Sequence, residues 1–488
     1  MRVRVCLSIL VLCGAASGAG NLPIDDPRWD ALRDAIGKLA IPDPQGGVQS
    51  MDEARVNLLL YGTPLPAGFW IAPDHRLTLE TSLADEHDRP YSLPVRQRNL
   101  AGGVALSCEY QEGRPCGDGA VVFGELDSAA GYGTLLTLAT RIGLAGGSIA
   151  GDTGFSLDRA YLKLDLDPFS VQIGRDVLVL GPSVRSALML SANAVPQDGV
   201  RLRLRPVALP FLPEVKFSAL YFIDRLRNPQ IFHGTLLDLL GFQLDFWNRV
   251  SFGGSRALQL GGDGSPDYGG FGGFLLEHFG RTKEFTGVGT AENNRLSVNF
   301  AVRIPEWRST RLYYEVAFED TSNHYFNALR YDADHLFGAE VRALNAGPFR
   351  RLFLELEHTG YVSQEHSIFT SGYTNAGRTL ADALGPDGTS LWIRTDLQIG
   401  SLQLSPWAEW LVFVADRYSA VVGQPVIVAA VGPREHRQRL GADVETFLGG
   451  GLQLRAGLYA ERIGDTGFQG GATTLGAGLR AALTWAPP

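Results

Sequence analysis

Residues 355–366 read ELEHTGYVSQEH, in which two Glu-His dipeptides, Glu357-His358 and Glu365-His366, flank Tyr361. A carboxylate beside an imidazole can hold a metal ion or move a proton, so the stretch invites a catalytic or metal-site reading. Sequence neighbours on a β-strand point to opposite faces, however, and Glu357 and His358 then cannot serve one ion. The alternating run assigns Phe353, Glu355 and Glu357 to one face and Leu352, Leu354 and Leu356 to the other, with His358 at the boundary of the apolar face. A strand end followed by a polar loop explains both dipeptides. A calcium loop is a second candidate: DGSPDYGG spaces Asp263, Ser265 and Asp267 suitably, but Tyr268 stands where Gly is required and Phe274 where Glu is. HExxH, GxSxG, SxxK and P-loop patterns are absent from the sequence. The expectation is no catalytic residue, no metal and no cofactor.

Composition says what kind of chain carries these residues. The 488 residues include 59 Gly but only 3 Met and 4 Cys, a profile of many strands and turns. The net charge of −9 is spread through the sequence with no basic stripe, which argues against nucleic acid as partner. Arg2 and Arg4, the apolar run Val5 to Cys13, and Ser17-Gly18-Ala19 form a secretory signal, residues 1–19. Cys13 leaves a lipoprotein anchor open, although Leu12 is larger than such sites accept. After export Cys108 and Cys116 remain and are expected to form a disulfide, the alternative being two thiols. No apolar run of about 18 residues follows, so the mature chain either is soluble or crosses a membrane as strands.

Two regimes follow the signal. Residues 20–95 are expected to form a small helical periplasmic segment: Trp29, Leu32, Ile36 and Leu39 share a helical face, and Ser50 with Glu53 makes a capping box ahead of a stop at Gly62. From residue 96 to 488 the period is two. RAYLKLDLD sets Leu162, Leu164 and Leu166 against Lys163 and Asp165, RLRLR at 201–205 sets Arg against Leu, and LSVNFAVRI separates Leu296, Val298 and Phe300 from Ser297 and Asn299. Candidate strands fall near 98–108, 119–128, 134–147, 158–167, 170–180, 200–206, 214–223, 241–247, 250–260, 295–304, 310–319, 336–344, 350–358, 390–399, 405–415, 438–447, 452–463 and 474–485. From 158 onward the gaps between them alternate short and long, as tight turns at one rim and loops at the other require. Backbone groups in hydrocarbon have no water to bond, so such a sheet must close on itself. The expected fold is all-β and transmembrane: an antiparallel outer-membrane β-barrel of about 18 strands with a small N-terminal α-helical segment.

Four stretches, in order, also resemble a known family: IGRDVLVLGPSVRSALMLSANAVP (173–196), RALQLGGDGSP (256–266), NRLSVNFAVRIP (294–305) and FLELEHTGYVSQEHSIFTSGYTNAGRTLADALGPDG (353–388). The chain resembles the Wzi-type capsule assembly proteins of the bacterial outer membrane. Departures are LVLGPS in place of an aromatic-rich turn, Asp263 in place of Glu, and Ala486-Pro487-Pro488 after the last aromatic. The resemblance implies an 18-stranded barrel with an N-terminal helical bundle, and a lectin-like, non-catalytic role in retaining capsular or other exopolysaccharide at the cell surface.

Sugars combine apolar C–H faces with hydroxyls, so aromatic rings and bidentate polar groups in long loops are the candidate contacts. The 359–389 loop offers Tyr361, Tyr373, Asn375, Arg378 and Asp387; the 320–335 loop offers His324, Tyr325, Arg330 and Tyr331; the 416–437 loop offers Arg417, Tyr418, Arg434 and Arg437. Their Arg content suits an acidic polymer. The alternative is an aromatic girdle with arginines paired inside the loops. On the inner face, Arg159, Lys163, Asp165, Arg201, Arg203, Arg205, Arg303, Arg311, Glu315 and Glu355 either form a structural network or line a channel. Expected partners are exopolysaccharide and outer-membrane lipid, with the protein a monomer. A passive diffusion porin is the alternative function, and a barrel hydrolase a third.

Overall fold

The computed structural model describes residues 68–71, 76–85, 119–133, 135–147, 154–191, 193, 195–227, 232–265, 272, 292–319, 333–342, 344, 346–360, 363–364, 369, 371–376, 378–414, 417–419, 426–429, 432–449 and 452–485. Its strands are β1 (Phe69–Ile71), β2 (Arg76–Asp85), β3 (Gly119–Tyr132), β4 (Leu136–Gly147), β5 (Gly154–Leu166), β6 (Phe169–Asp176), β7 (Gln197–Leu209) and β8 (Leu212–Arg225). There follow β9 (Leu236–Phe246), β10 (Val250–Leu260), β11 (Glu292–Ile304), β12 (Thr310–Glu319), β13 (Asp334–Val341), β14 (Phe349–His358), β15 (Thr374–Asn375) and β16 (Arg378–Thr379). The last are β17 (Gly388–Ile399), β18 (Leu402–Phe413), β19 (Arg417–Ser419), β20 (Val426–Ala429), β21 (Glu435–Gly449), β22 (Leu452–Gly464) and β23 (Thr473–Trp485).

Eighteen of these form one antiparallel cylinder, each strand paired to the next, omitting β1 and the two small hairpins β15–β16 and β19–β20. Closure is made by β2, which pairs with β23 from Leu77↔Trp485 to Asp85↔Ala477 and with β3 on its other side. Among the described residues every strand of the cylinder has a paired neighbour on each side, as a sheet in hydrocarbon requires. The short β1 continues the seam against the far end of β3, where Ile71 meets Ala130.

Seventeen of the anticipated strands coincide with observed ones to within a few residues. The remaining barrel strand is β2, which lies inside the 20–95 stretch expected to be helical. Its sequence, RLTLETSLAD, sets Leu77, Leu79 and Leu83 outward, a period of two between the helical patterns upstream and the next strand. The candidate at 98–108 lies outside the described residues, as do the two N-terminal helix patterns and Cys108 and Cys116.

Period two sorts the faces as expected. Leu138, Leu162, Leu202, Phe300, Leu354, Leu440 and Leu479 are exposed on the outside, whereas Lys163, Arg201, Arg203, Arg311, Glu315 and Glu355 are buried within. The short connections at one rim include two turns with consecutive left-handed residues, Trp247 and Asn248 (φ 52° and 55°), and Arg308 and Ser309 (φ 52° each). Such turns match the right-handed strand twist. Beside them Trp247, Trp307 and Phe211 stand exposed, where an aromatic belt meets the membrane interface. The long connections all leave from the opposite rim.

The lipid-facing band can be probed by charge. Leu354→Arg, at mid-strand on β14, is expected to lower folding stability in phospholipid vesicles by about 2–4 kcal/mol, and Phe211→Arg in the rim turn by about 0–1 kcal/mol. Denaturant titration of both variants in vesicles checks the difference.

Candidate functional site

Inside the cylinder the charged wall is nearly dry. Lys163 is 0% exposed and Arg201, Arg295, Arg437 and Arg439 are each 1% exposed. Ions removed from water cost several kcal/mol each unless paired and hydrogen-bonded, and the wall supplies partners. Arg201 meets Asp176 at 2.9 Å and Arg159 meets the same carboxylate at 2.8 Å. Lys163 and Arg205 share Asp165 at 3.4 and 2.8 Å. On β21, Arg439 bridges Glu461 and Glu409 at 2.5 and 2.9 Å while Arg437 holds Glu435 at 2.8 Å. Arg295 on β11 grips both Glu319 and Asp334.

Two connections displace the water. The first, residues 177–196 between β6 and β7, folds inward onto the carboxylate of Glu355. That group accepts from Ser183 Oγ at 2.7 Å, from the backbone N–H of Val184 at 2.8 Å and of Arg185 at 3.3 Å, and from the Tyr313 hydroxyl. Tyr313 on β12 reaches Glu355 on β14 by lying across Gly338 of the strand between them. A Cβ at Gly338 would come within 2.0 Å of the ring, so only glycine allows the crossing. Gly181 serves the loop in the same way, since a Cβ there would stand 2.8 Å from Glu315 Oε2. Arg185 then reaches Glu409 at 2.5 Å with its guanidinium over Trp392, and Arg295 donates from Nε to the Leu188 carbonyl at 2.8 Å.

The second connection, residues 359–387, packs on the first. Gly360 N and Ser363 Oγ donate to Asp334 at 2.8 and 2.7 Å, and Gln364 N donates to Glu319 at 2.9 Å. Ser191 N donates to the Leu380 carbonyl at 2.8 Å, and Asn193 Nδ2 donates to Thr379 Oγ1 at 2.6 Å. Leu178, Leu180, Met189, Leu190, Tyr373 and Leu380 from the two connections join Leu220, Phe222, Leu237 and Leu239 of the wall in one apolar cluster. The lumen thus holds a small core of its own. The polar inner face is a structural network across these contacts.

The anticipated contact residues take different places. Tyr373 is buried, its ring under Arg295 and its hydroxyl donating to Met189 Sδ at 3.7 Å; burial pushes the phenol well above its usual range, so it stays a donor. Asn375 is buried, with Oδ1 accepting the Arg227 N–H at 2.8 Å. Arg378 and Asp387 are half-buried, Arg378 opposite Asn375 in the β15–β16 hairpin and Asp387 with its N–H on Gly360 O. Arg417 and Tyr418 lie on the small hairpin strand β19. Tyr325, Arg330, Tyr331 and Tyr361 lie outside the described residues, as does Glu365-His366. Glu357 turns inward and His358 outward, its Nδ1 at 3.0 Å from Thr389 Oγ1, so the two share no ligand. Among the described residues no three His, Cys, Asp or Glu side chains gather into a metal-holding group. Sequence reasoning missed Ser183, Arg185, Asn193 and the inward course of 177–196. The signal was present in VLVL and ALML, runs too apolar for a loop standing in water.

A sequence model of the family described as capsule assembly protein Wzi matches residues 94–465, well over half of the chain. The chain belongs to the Wzi capsule assembly family. Among solved structures, Wzi of Escherichia coli aligns over 98% of this chain and 97% of its own, at 15% identity and a TM-score of 0.59. That protein is described as an outer membrane protein involved in group 1 capsule assembly and a carbohydrate binding β-barrel. Pseudomonas aeruginosa OccD3 aligns over 92% of this chain and 99% of its own at 13% identity and a TM-score of 0.49. Acinetobacter baumannii OccAB1 aligns over 85% and 96% at 11% identity and a TM-score of 0.47. At such identities the likeness concerns the fold. No curated protein matches the chain. This Wzi-family barrel is an outer-membrane protein, as the greasy exterior and closed ladder require.

Removing the central acceptor should loosen the filling. Glu355→Ala leaves the Ser183, Val184 and Tyr313 donors without their acceptor and is expected to cost about 1–3 kcal/mol. Thermal melting in detergent reads the loss, and raised conductance in planar bilayers reads the freed segment; an unchanged melt would show that Glu355 does not hold the loop.

Proposed function

We propose that this protein retains capsular or other exopolysaccharide at the cell surface, as a non-catalytic, lectin-like monomer whose outward leucines and phenylalanines face outer-membrane lipid. One observation carries the choice between holding and conducting: the inward-facing ions are shielded from water. A diffusion channel keeps its wall charges hydrated, whereas here Lys163, Arg201 and Arg439 are buried inside the barrel and ion-paired to neighbouring carboxylates. A filled barrel works as a rigid pedestal for its loops. Membership of a capsule assembly family and the carbohydrate binding described for Escherichia coli Wzi support the same reading.

The contacts assigned to the polymer are Tyr325, Arg330, Tyr331 and Tyr361, with Arg378, Asp387, Arg417 and Tyr418, while the buried Tyr373 and Asn375 steady the loop from below. Each sugar unit contributes little, but a polymer offers many copies, so effective concentration supplies retention. The helical patterns within residues 20–67 are assigned to the periplasmic side, where β1 meets the β3 end beside the short turns.

Deletion of the gene tests this directly. Polymer is expected to move from the cell surface to the medium with solute uptake unchanged, and the purified protein to show no steady conductance in planar bilayers. Unchanged retention together with reduced uptake would establish the porin alternative instead.

A further inference from the structure

At the rim of the long loops, three neighbouring strand ends bring two arginines onto one aspartate. Arg175 lies near the end of β6 and Asp198 near the start of β7, opposite each other in register, and Arg227 follows β8. Arg175 donates from Nε and Nη2 to the two oxygens of Asp198 at 2.5 and 2.7 Å. Arg227 donates from Nε and Nη2 to Oδ2 of the same carboxylate at 3.0 and 2.8 Å. The three side chains are 26%, 39% and 32% exposed, unlike the enclosed ions below them.

The charges behind this triad leave no spare anion. Arg159 and Arg201 share Asp176, and burial pushes Asp224, within electrostatic reach of Arg201, Arg227 and Asp198, up to about 8, so that it is mostly uncharged at neutral pH. One carboxylate for two guanidiniums therefore leaves a positive excess at the solvent side. Arg227 is also held from the lumen. Asn375 Oδ1 accepts its N–H at 2.8 Å, and its carbonyl accepts the Ala376 N–H at 3.4 Å. The inward connection 359–387 thus sets where that arginine stands. Arg175 spends Nη1 on the Leu157 carbonyl at 2.9 Å, whereas Arg227 Nη1 has no partner among the described residues. Asn375 Nδ2, on the residue that grips Arg227, is a buried donor without a partner.

We propose that the Arg175–Asp198–Arg227 triad is a subsite for a carboxylate-bearing sugar unit, a hexuronic acid, within the retained polymer. The sugar carboxylate supplies the second anion and approaches Arg227 Nη1, completing two cations against two anions. Charge-assisted N–H to carboxylate bonds of this kind select an acid over a neutral hexose of the same shape. Asn375 acts as a positioning residue. The inference rests on the polysaccharide reading above and names the class of unit that reading leaves open.

The test uses full-length protein purified in detergent and calorimetric titration with hexuronic acid oligosaccharides and neutral hexose oligosaccharides of matched length. The acidic oligomer is expected to bind about tenfold more tightly, with the difference shrinking as salt rises. Arg227→Gln, which keeps the backbone N–H that Asn375 holds, should remove about tenfold of the acidic affinity and leave neutral binding unchanged. Asp198→Asn is the discriminating variant. It removes the competing resident anion and should tighten acidic binding several-fold, whereas a purely structural triad predicts unchanged or weaker binding. Arg175→Gln gives a second loss-of-charge variant, and heat-modifiable gel mobility confirms that each barrel is folded. Equal binding of both oligomers, indifferent to Arg227→Gln, would overturn the subsite and leave polymer retention standing. Binding of neither oligomer, together with unchanged retention in the deletion strain, would remove the retention reading as well.

Discussion

A charged wall from which water has been excluded must find its hydrogen bonds within the protein, and the interior of this barrel is organised around that demand. Glu355, Glu315, Glu319, Asp334 and Glu409 are set by the strands at fixed positions on the inner face. The segments between strands bring them backbone N–H groups, serine hydroxyls and guanidiniums. Had the lumen stayed wet, the same carboxylates would be hydrated and the same segments could extend outward. Filling and pairing therefore support each other: the segments pack where the wall offers acceptors, and ion pairs within the wall together with donors from the segments satisfy the buried charges.

This mutual dependence ties the mouth to the core. The connection 359–387 starts on Asp334 and Glu319, packs Tyr373 and Leu380 into the lumen cluster, and ends by holding Arg227 through Asn375. A guanidinium at the rim thus stands on a chain of contacts reaching into the barrel. Rigid presentation lowers the ordering cost of each weak contact with a polymer. Under the proposed function the packed lumen and the surface role are one design: a cylinder filled in this way offers its loops a fixed platform in lipid.

Much of the architecture was legible because a barrel repeats one rule. Each strand must alternate greasy and polar residues, so RAYLKLDLD and FLELEH show which side chains meet lipid without knowledge of any neighbour. The short and long gaps then arrange the strands into two rims. The rule failed where the local pattern was brief or framed by another one. β2 followed two helical patterns, and its RLTLETSL run was passed over, although it is the strand that closes the cylinder. The course of the loops is not legible in the same way. Tyr373 and Asn375 carry side chains that suit sugar contact and lumen packing equally well, and both are buried beneath the mouth.

By itself the sequence determined the class of the protein: an exported chain that crosses lipid as paired strands, with the identity of the residues on either face. These are consequences of periodicity and of backbone groups that cannot go unbonded in hydrocarbon, and both act within a few residues. Which residues meet inside was decided only by tertiary structure. Glu355 and Ser183 lie 172 positions apart, and Arg175, Asp198 and Arg227 come from three strand ends. No local pattern records such meetings. They exist because closing the cylinder fixes the distances across its lumen, and because excluded water leaves each buried charge only the partners that geometry puts within reach.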